Sequence, residues 1–74
     1  MPKFKKGDKL TVRCSRKGTY HAVALADFDT FSDEWYKVAV DQDEPVQGMS
    51  QQWNKGESIP CRRGHAIVDP RRTP

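Results

Sequence analysis

Long hydrophobic runs are missing from this chain. No apolar stretch approaches the roughly 20 residues that a helical membrane span needs. The N-terminal lysines are not followed by the apolar segment of a secretory signal, so the expected compartment is the cytoplasm. Cysteine is scarce, with only Cys14 and Cys61. Both stay reduced in a cytoplasm; a Cys14–Cys61 bridge is the alternative for an exported protein. There is no P-loop, Gly-rich dinucleotide turn, serine elbow or paired metal-histidine helix. No cofactor is therefore expected, and no enzyme class is signalled. The 74 residues amount to one domain, residues 1–74, with 70–74 as a loose basic tail. A chain this short buries only about 60% of the surface its unfolded form exposes, which leaves little room for both a core and a pocket.

What is present is charge in three blocks. Residues 1–20 hold seven bases and one acid, residues 21–53 seven acids and one base, and residues 54–74 five bases and two acids. The blocks sum as +6, −6 and +3, which gives the net +3. Segregation of this kind implies a polarised surface suited to selecting partners. The hydrophobic fraction is only 35%, but those residues cluster in short runs, as in a folded domain.

The runs read as β-strands. Lys9 to Cys14 alternates at period two, with Leu10, Val12 and Cys14 inward. Ser15-Arg16-Lys17-Gly18 is a hairpin turn in which Gly18 supplies positive φ. Thr19 to Asp27 is the expected return strand, with His21, Val23 and Leu25 inward. Its rival is a short helix or 3-10 turn between Ala22 and Glu34, favoured by Ala22, Ala24 and Ala26. Glu34 to Asp41 is the clearest strand, with Tyr36, Val38 and Val40 on one face and Trp35 on the other. Pro45 ends that region, and Val46 to Lys55 shows no clean period. Ser58 to Cys61 reads as a strand placed at an edge by Pro60. Arg62-Arg63-Gly64 is a second tight turn, and His65 to Asp69 is the last strand, stopped by Pro70. Five short strands predict a mainly β fold, either a five-stranded small barrel or a two-sheet sandwich.

The opening Phe4-Lys5-Lys6-Gly7-Asp8-Lys9-Leu10 resembles the start of SH3-like small barrels of the KOW and Tudor kind. Those often begin with an apolar residue, a Gly-Asp turn and an alternating first strand. The resemblance covers these seven residues and implies a barrel. It implies no function, because that superfold hosts many.

Two segments echo each other. Cys14-Ser15-Arg16-Lys17-Gly18-Thr19-Tyr20-His21 and Cys61-Arg62-Arg63-Gly64-His65 each carry a cysteine, two bases, a glycine and a histidine. Cys14, His21, Cys61 and His65 offer the four N and S ligands that zinc favours. Their spacings match no standard finger, and buried cysteine is common without metal, so no metal is expected. A nucleophilic Cys-His pair would need a setting that stabilises a thiolate. Asp27, Asp29, Asp33 and Glu34 superficially suggest a calcium loop but lack its glycine and terminal glutamate.

The bases support a stronger expectation. Arg16, Lys17, Arg62 and Arg63 sit at turn apices, and Lys5 and Lys6 precede the first strand. Lys3, Lys9, Arg13, Arg71 and Arg72 can add to them. In a small barrel the first and last strands often lie close, which would join both basic blocks into one face that attracts phosphates. Tyr20, Trp35 and Trp53 are candidates to stack bases. The expected function is a non-catalytic module binding nucleic acid through Lys5, Lys6, Arg16, Lys17, Arg62, Arg63 and Trp35. The alternative is a protein-interaction module, such as an accessory protein of a phage or mobile element, using Trp35 or the Asp41–Glu44 corner.

Overall fold

Period-two alternation produces the strands, and turn chemistry decides how they pair. The computed structural model describes residues 3–71. Among the described residues there is no helix. The strands are β1 (Lys9–Cys14), β2 (Gly18–Ala24), β3 (Trp35–Val40), β4 (Val46–Gln47), β5 (Gln52–Trp53), β6 (Ser58–Arg62) and β7 (Ala66–Pro70). A five-stranded antiparallel sheet has the order β6-β3-β2-β1-β7, and β4 and β5 form a separate small hairpin.

The turn between β1 and β2 fixes which residues face the core. Cys14 pairs with Gly18 across a three-residue loop, and Gly18 has φ 78°. A three-residue loop closed by a left-handed glycine sets the register so that Val12 lies opposite Tyr20 and Leu10 opposite Ala22. Directly opposed residues share a face. Tyr20, Ala22 and Ala24 are therefore the buried side of β2, and His21 and Leu25 are exposed. This reverses the face expected from the sequence. A one-residue shift in phase moves every side chain to the other side, and burying Tyr20 removes far more apolar surface than burying His21.

The sheet coils because its two edges are consecutive in the chain. All four ladders are antiparallel, so β6 and β7, at opposite edges, run in the same direction. Only Arg63, Gly64 and His65 link them. Four steps of extended chain reach about 14 Å. In a flat five-stranded sheet the edges alone would be about 19 Å apart. The sheet must coil until diagonal corners meet, and β6–β7 acts as one bent strand that serves β3 first and β1 next. No ladder joins β6 to β7, so the sheet does not close into the expected barrel. Strands running the same way from a tight turn cannot form a hairpin ladder.

The core lies inside the coil. Leu10, Val12, Val38, Val40 and Ile59 are its largest fully buried side chains. Phe4 and Phe28 seal one end. They form a backbone bridge, their rings lie 5.1 Å apart, and Phe28 stacks on Tyr36 at 4.6 Å. Burial of Phe28 explains why the rival helix does not form: β2 stops at Ala24 and the chain turns to bring Phe28 beneath Phe4. Val46 and Trp53 of the small hairpin add to the core. The Trp53 ring packs so tightly over Gly48 that a β-carbon there would lie 2.8 Å from it. Two-residue strands are too short to show a period, which is why this hairpin left no sequence signal.

Edge prolines behave as their chemistry requires. Pro60 lies in edge strand β6 and Pro70 is the last residue of edge strand β7, opposite Leu10. Arg71, expected in the loose tail, is instead tied down. Its N–H donates to Lys9 O at 2.9 Å, and its guanidinium bonds Asp41 and the Ala22 carbonyl. Arg72, Thr73 and Pro74, the remainder of that tail, lie outside the described residues.

Candidate functional site

The coil brings the two echoing segments together. Ala66, the first residue of β7, pairs with Cys14, the last residue of β1. The β6–β7 bend therefore lies beside the β1–β2 turn. Between them is a crevice of about 150 Å³. Cys14, Tyr20 and Cys61 line its floor, Trp35 forms a wall, and Arg16, Lys17, Arg62 and His65 stand around it. Among the described residues no carboxylate lines it.

The floor is apolar and carries little charge. The Tyr20 hydroxyl lies 3.6 Å from Cys61 Sγ. Desolvation pushes the Tyr20 phenol well above its ordinary value, and also raises the Cys61 thiol. That shift disfavours the thiolate a nucleophile needs. Burial pushes Tyr36 up to about 12, and its hydroxyl donates to the Ala66 carbonyl at 3.4 Å. With neutral groups beneath them, the cations at the rim face no opposing charge from below.

Each rim cation has a distinct setting. Arg16 and Lys17 form no ion pair among the described residues. The Lys17 ammonium lies 5.4 Å from the centre of the Trp53 ring. The Arg62 guanidinium lies 5.8 Å from the centre of the Trp35 ring and contacts Glu34 at 3.3 Å. Trp35 is 59% exposed, a large aromatic surface left to solvent as its strand phase predicts. Tyr20 and Trp53, the other two aromatics considered for stacking, are buried and present no free face.

The remaining expected residues lie elsewhere. Arg63 turns away from the crevice and donates to the Phe31 carbonyl. Lys5 and Lys6 precede β1, whereas Arg16 and Lys17 follow it, so the length of that strand separates them. The Lys5 and Lys6 N–H groups donate to the Asp8 and Asp27 carboxylates at 2.9 and 2.8 Å, which adds two negative charges to the same turn. The four residues considered for zinc do not converge. Cys14, Cys61 and His65 border the crevice, but His21 faces outward on β2, with its N–H bonded to Gln42 Oε1. Among the described residues, no group of three or more His, Cys, Asp or Glu side chains is arranged to hold a metal.

The acidic block is largely occupied in building loops. Asp29 and Asp33 accept N–H groups from Phe31 and Asp29 at 2.8 Å. Asp41 is bound by Arg71, whose hydrogen bond holds its carboxyl below the ordinary value near 3.8. Sequence reasoning missed Phe31, which is 84% exposed at the apex of this loop. No periodicity marks a lone aromatic in a loop. The one available signal was the Asp-x-x-x-Asp spacing that caps the loop around it.

Among the described residues no helix is long and apolar enough to cross a membrane. No protein-family model matches the chain, and no curated protein or solved structure matches it at a significant level.

Proposed function

We propose that this chain is a non-catalytic binding module whose partner is nucleic acid, held at the crevice between the two basic segments. One observation carries the reading. Arg16, Lys17, Arg62 and the exposed Trp35 surround a single crevice that, among the described residues, no carboxylate lines. Cations gathered around an apolar floor attract phosphate and release counterions on binding. An exposed aromatic beside them offers a face to a base.

The proposed fold relationship is to an open form of the SH3-like small barrels. Its supports are the Phe4–Leu10 opening and the pairing of the first and last strands, β1 with β7. The test of function is fluorescence anisotropy of labelled DNA and RNA at low and physiological salt. Binding that survives physiological salt and falls on changing Arg16 and Arg62 to alanine supports the reading. Binding erased by modest salt reduces the cations to a solubility feature. The second reading, a protein-interaction module, draws on Phe31 and Trp35, two large aromatics exposed side by side with arginines.

A further inference from the structure

We infer that the nucleic acid is single-stranded and follows a strip from Arg16 to Phe31, with Phe31 as a second stacking platform beside Trp35. This rests on the nucleic-acid reading above and narrows it. Three hollows form the strip, and each shares a residue with the next. The crevice ends at Trp35 and Arg62; a second hollow is bordered by Glu34, Arg62, Arg63 and Gly64; a third by Thr30, Phe31 and Arg63. Cations and aromatics interleave along it: Arg16 and Lys17, then Trp35 with Arg62, then Arg63 with Phe31.

This pattern suits an unpaired strand. In a duplex the base faces are already stacked on one another and only phosphates and groove edges are presented. Exposed aromatic faces would have no duplex surface to stack on. In a single strand each base has a free face, and cations spaced between aromatics track the backbone.

The platform at Phe31 is held in place before any ligand arrives. The Phe31 N–H donates to Asp29 Oδ1 at 2.8 Å, and the Asp29 N–H to Asp33 Oδ2 at 2.8 Å. The Asp33 N–H donates to the Asp29 carbonyl at 2.9 Å, and Arg63 holds the Phe31 carbonyl. The loop thus fixes the backbone that carries the exposed ring, so less ordering remains to be done on binding. Among the described residues, Glu34 is the one carboxylate that lines the three hollows, and Asp29 and Asp33 add their charge beneath the Phe31 loop. It contacts Arg62 at 3.3 Å, so an arriving phosphate competes with it for that guanidinium.

The experiment compares short fluorescein-labelled oligothymidylate and oligouridylate with a duplex at physiological salt. The proteins are the intact chain and its Phe31→Ala, Trp35→Ala and Glu34→Gln variants, with melting temperatures checked first. The expected result is tighter binding of the single strands. Phe31→Ala and Trp35→Ala should each weaken it about 5- to 150-fold, the range for loss of one stacked base. Glu34→Gln should strengthen it by removing the competing charge. Equal binding of duplex and single strands, with Phe31→Ala silent, overturns the inference while leaving the nucleic-acid reading standing. Absence of binding to any of the probes at physiological salt overturns both.

Discussion

The two ends of β1 carry similar positive charge and put it to different use. Before the strand, Lys5 and Lys6 sit on a turn whose backbone is capped by the carboxylates of Asp8 and Asp27. Beneath that turn, Phe4, Phe28 and Tyr36 fill the space with stacked rings. After the strand, Arg16 and Lys17 meet Arg62 and His65 around an open crevice with no carboxylate among the described residues of its lining. Cation count in the sequence is nearly the same at both ends. What distinguishes them is that two acids are built into the first turn while at the open end Glu34 meets only Arg62, and that aromatics are packed at one end and left facing solvent at the other.

The largest test of this contrast is at the closed end. Phe28→Ala should cost about 3–5 kcal/mol, because the ring contacts both Phe4 and Tyr36 and leaves a cavity. In a domain of this size each kcal/mol moves the melting temperature by roughly 4–8 °C, so thermal denaturation followed by circular dichroism should show partial or complete unfolding. A small change would mean that the closed end is not a structural plug. At the open end the double change Arg16→Ala with Arg62→Ala should leave the melting temperature within a few degrees, since the lost Arg62–Glu34 pair is solvent-exposed. It should weaken binding about 10- to 100-fold and flatten the logarithmic salt dependence for a single strand by about 1.4, or 0.7 per lost phosphate contact.

Acids that are tied down elsewhere are the third element. Asp41 has its pKa lowered in the folded state, first by its hydrogen bond with Arg71. A depressed carboxyl stabilises the fold above its unfolded pKa, and that contribution disappears as pH falls through the folded value. Stability should therefore decline as pH drops below about 4. Asp41→Asn should lower stability by about 1 kcal/mol at neutral pH, allowing for screening of a part-exposed pair, and should blunt this acid sensitivity. Parallel urea melts at neutral and acidic pH measure both. The smallest effect is expected from Lys5→Ala with Lys6→Ala. Affinity should change less than about 2-fold, because the neighbouring Asp8 and Asp27 already offset much of that charge for a phosphate. A loss matching that of the Arg16 and Arg62 change would erase the distinction between the two ends.

Strand content was legible because period-two patterns are local. β1, β3, β6 and β7 were visible, along with edge placement of Pro60 and the outward direction of Trp35. The face of β2 was not, since Ala22, Val23, Ala24 and Leu25 are apolar on both phases. The decisive signal was the length of the Ser15–Lys17 loop together with the left-handed glycine after it, which fixes register by arithmetic. Convergence of Arg16, Lys17 and Arg62 followed from strand adjacency of β1 and β7. The separate fates of Arg62 and Arg63 did not, because adjacent residues in a bend point different ways and only the Phe31 carbonyl decides which way Arg63 goes.

The bent strand β6–β7 also sets a timetable. Arg13 meets Asp69 across 56 residues of chain, and every β1–β7 contact has a comparable separation. Loop closure on that scale comes late, and folds dominated by such contacts form slowly. As the chain leaves the ribosome, β1 can pair with β2 at once, but its other edge stays unpaired until Ala66 to Pro70 have emerged. During that interval β1 presents an open edge to any neighbouring chain. The same closing event seats Ala66 beside Cys14, so the crevice and the last ladder of the sheet are completed together.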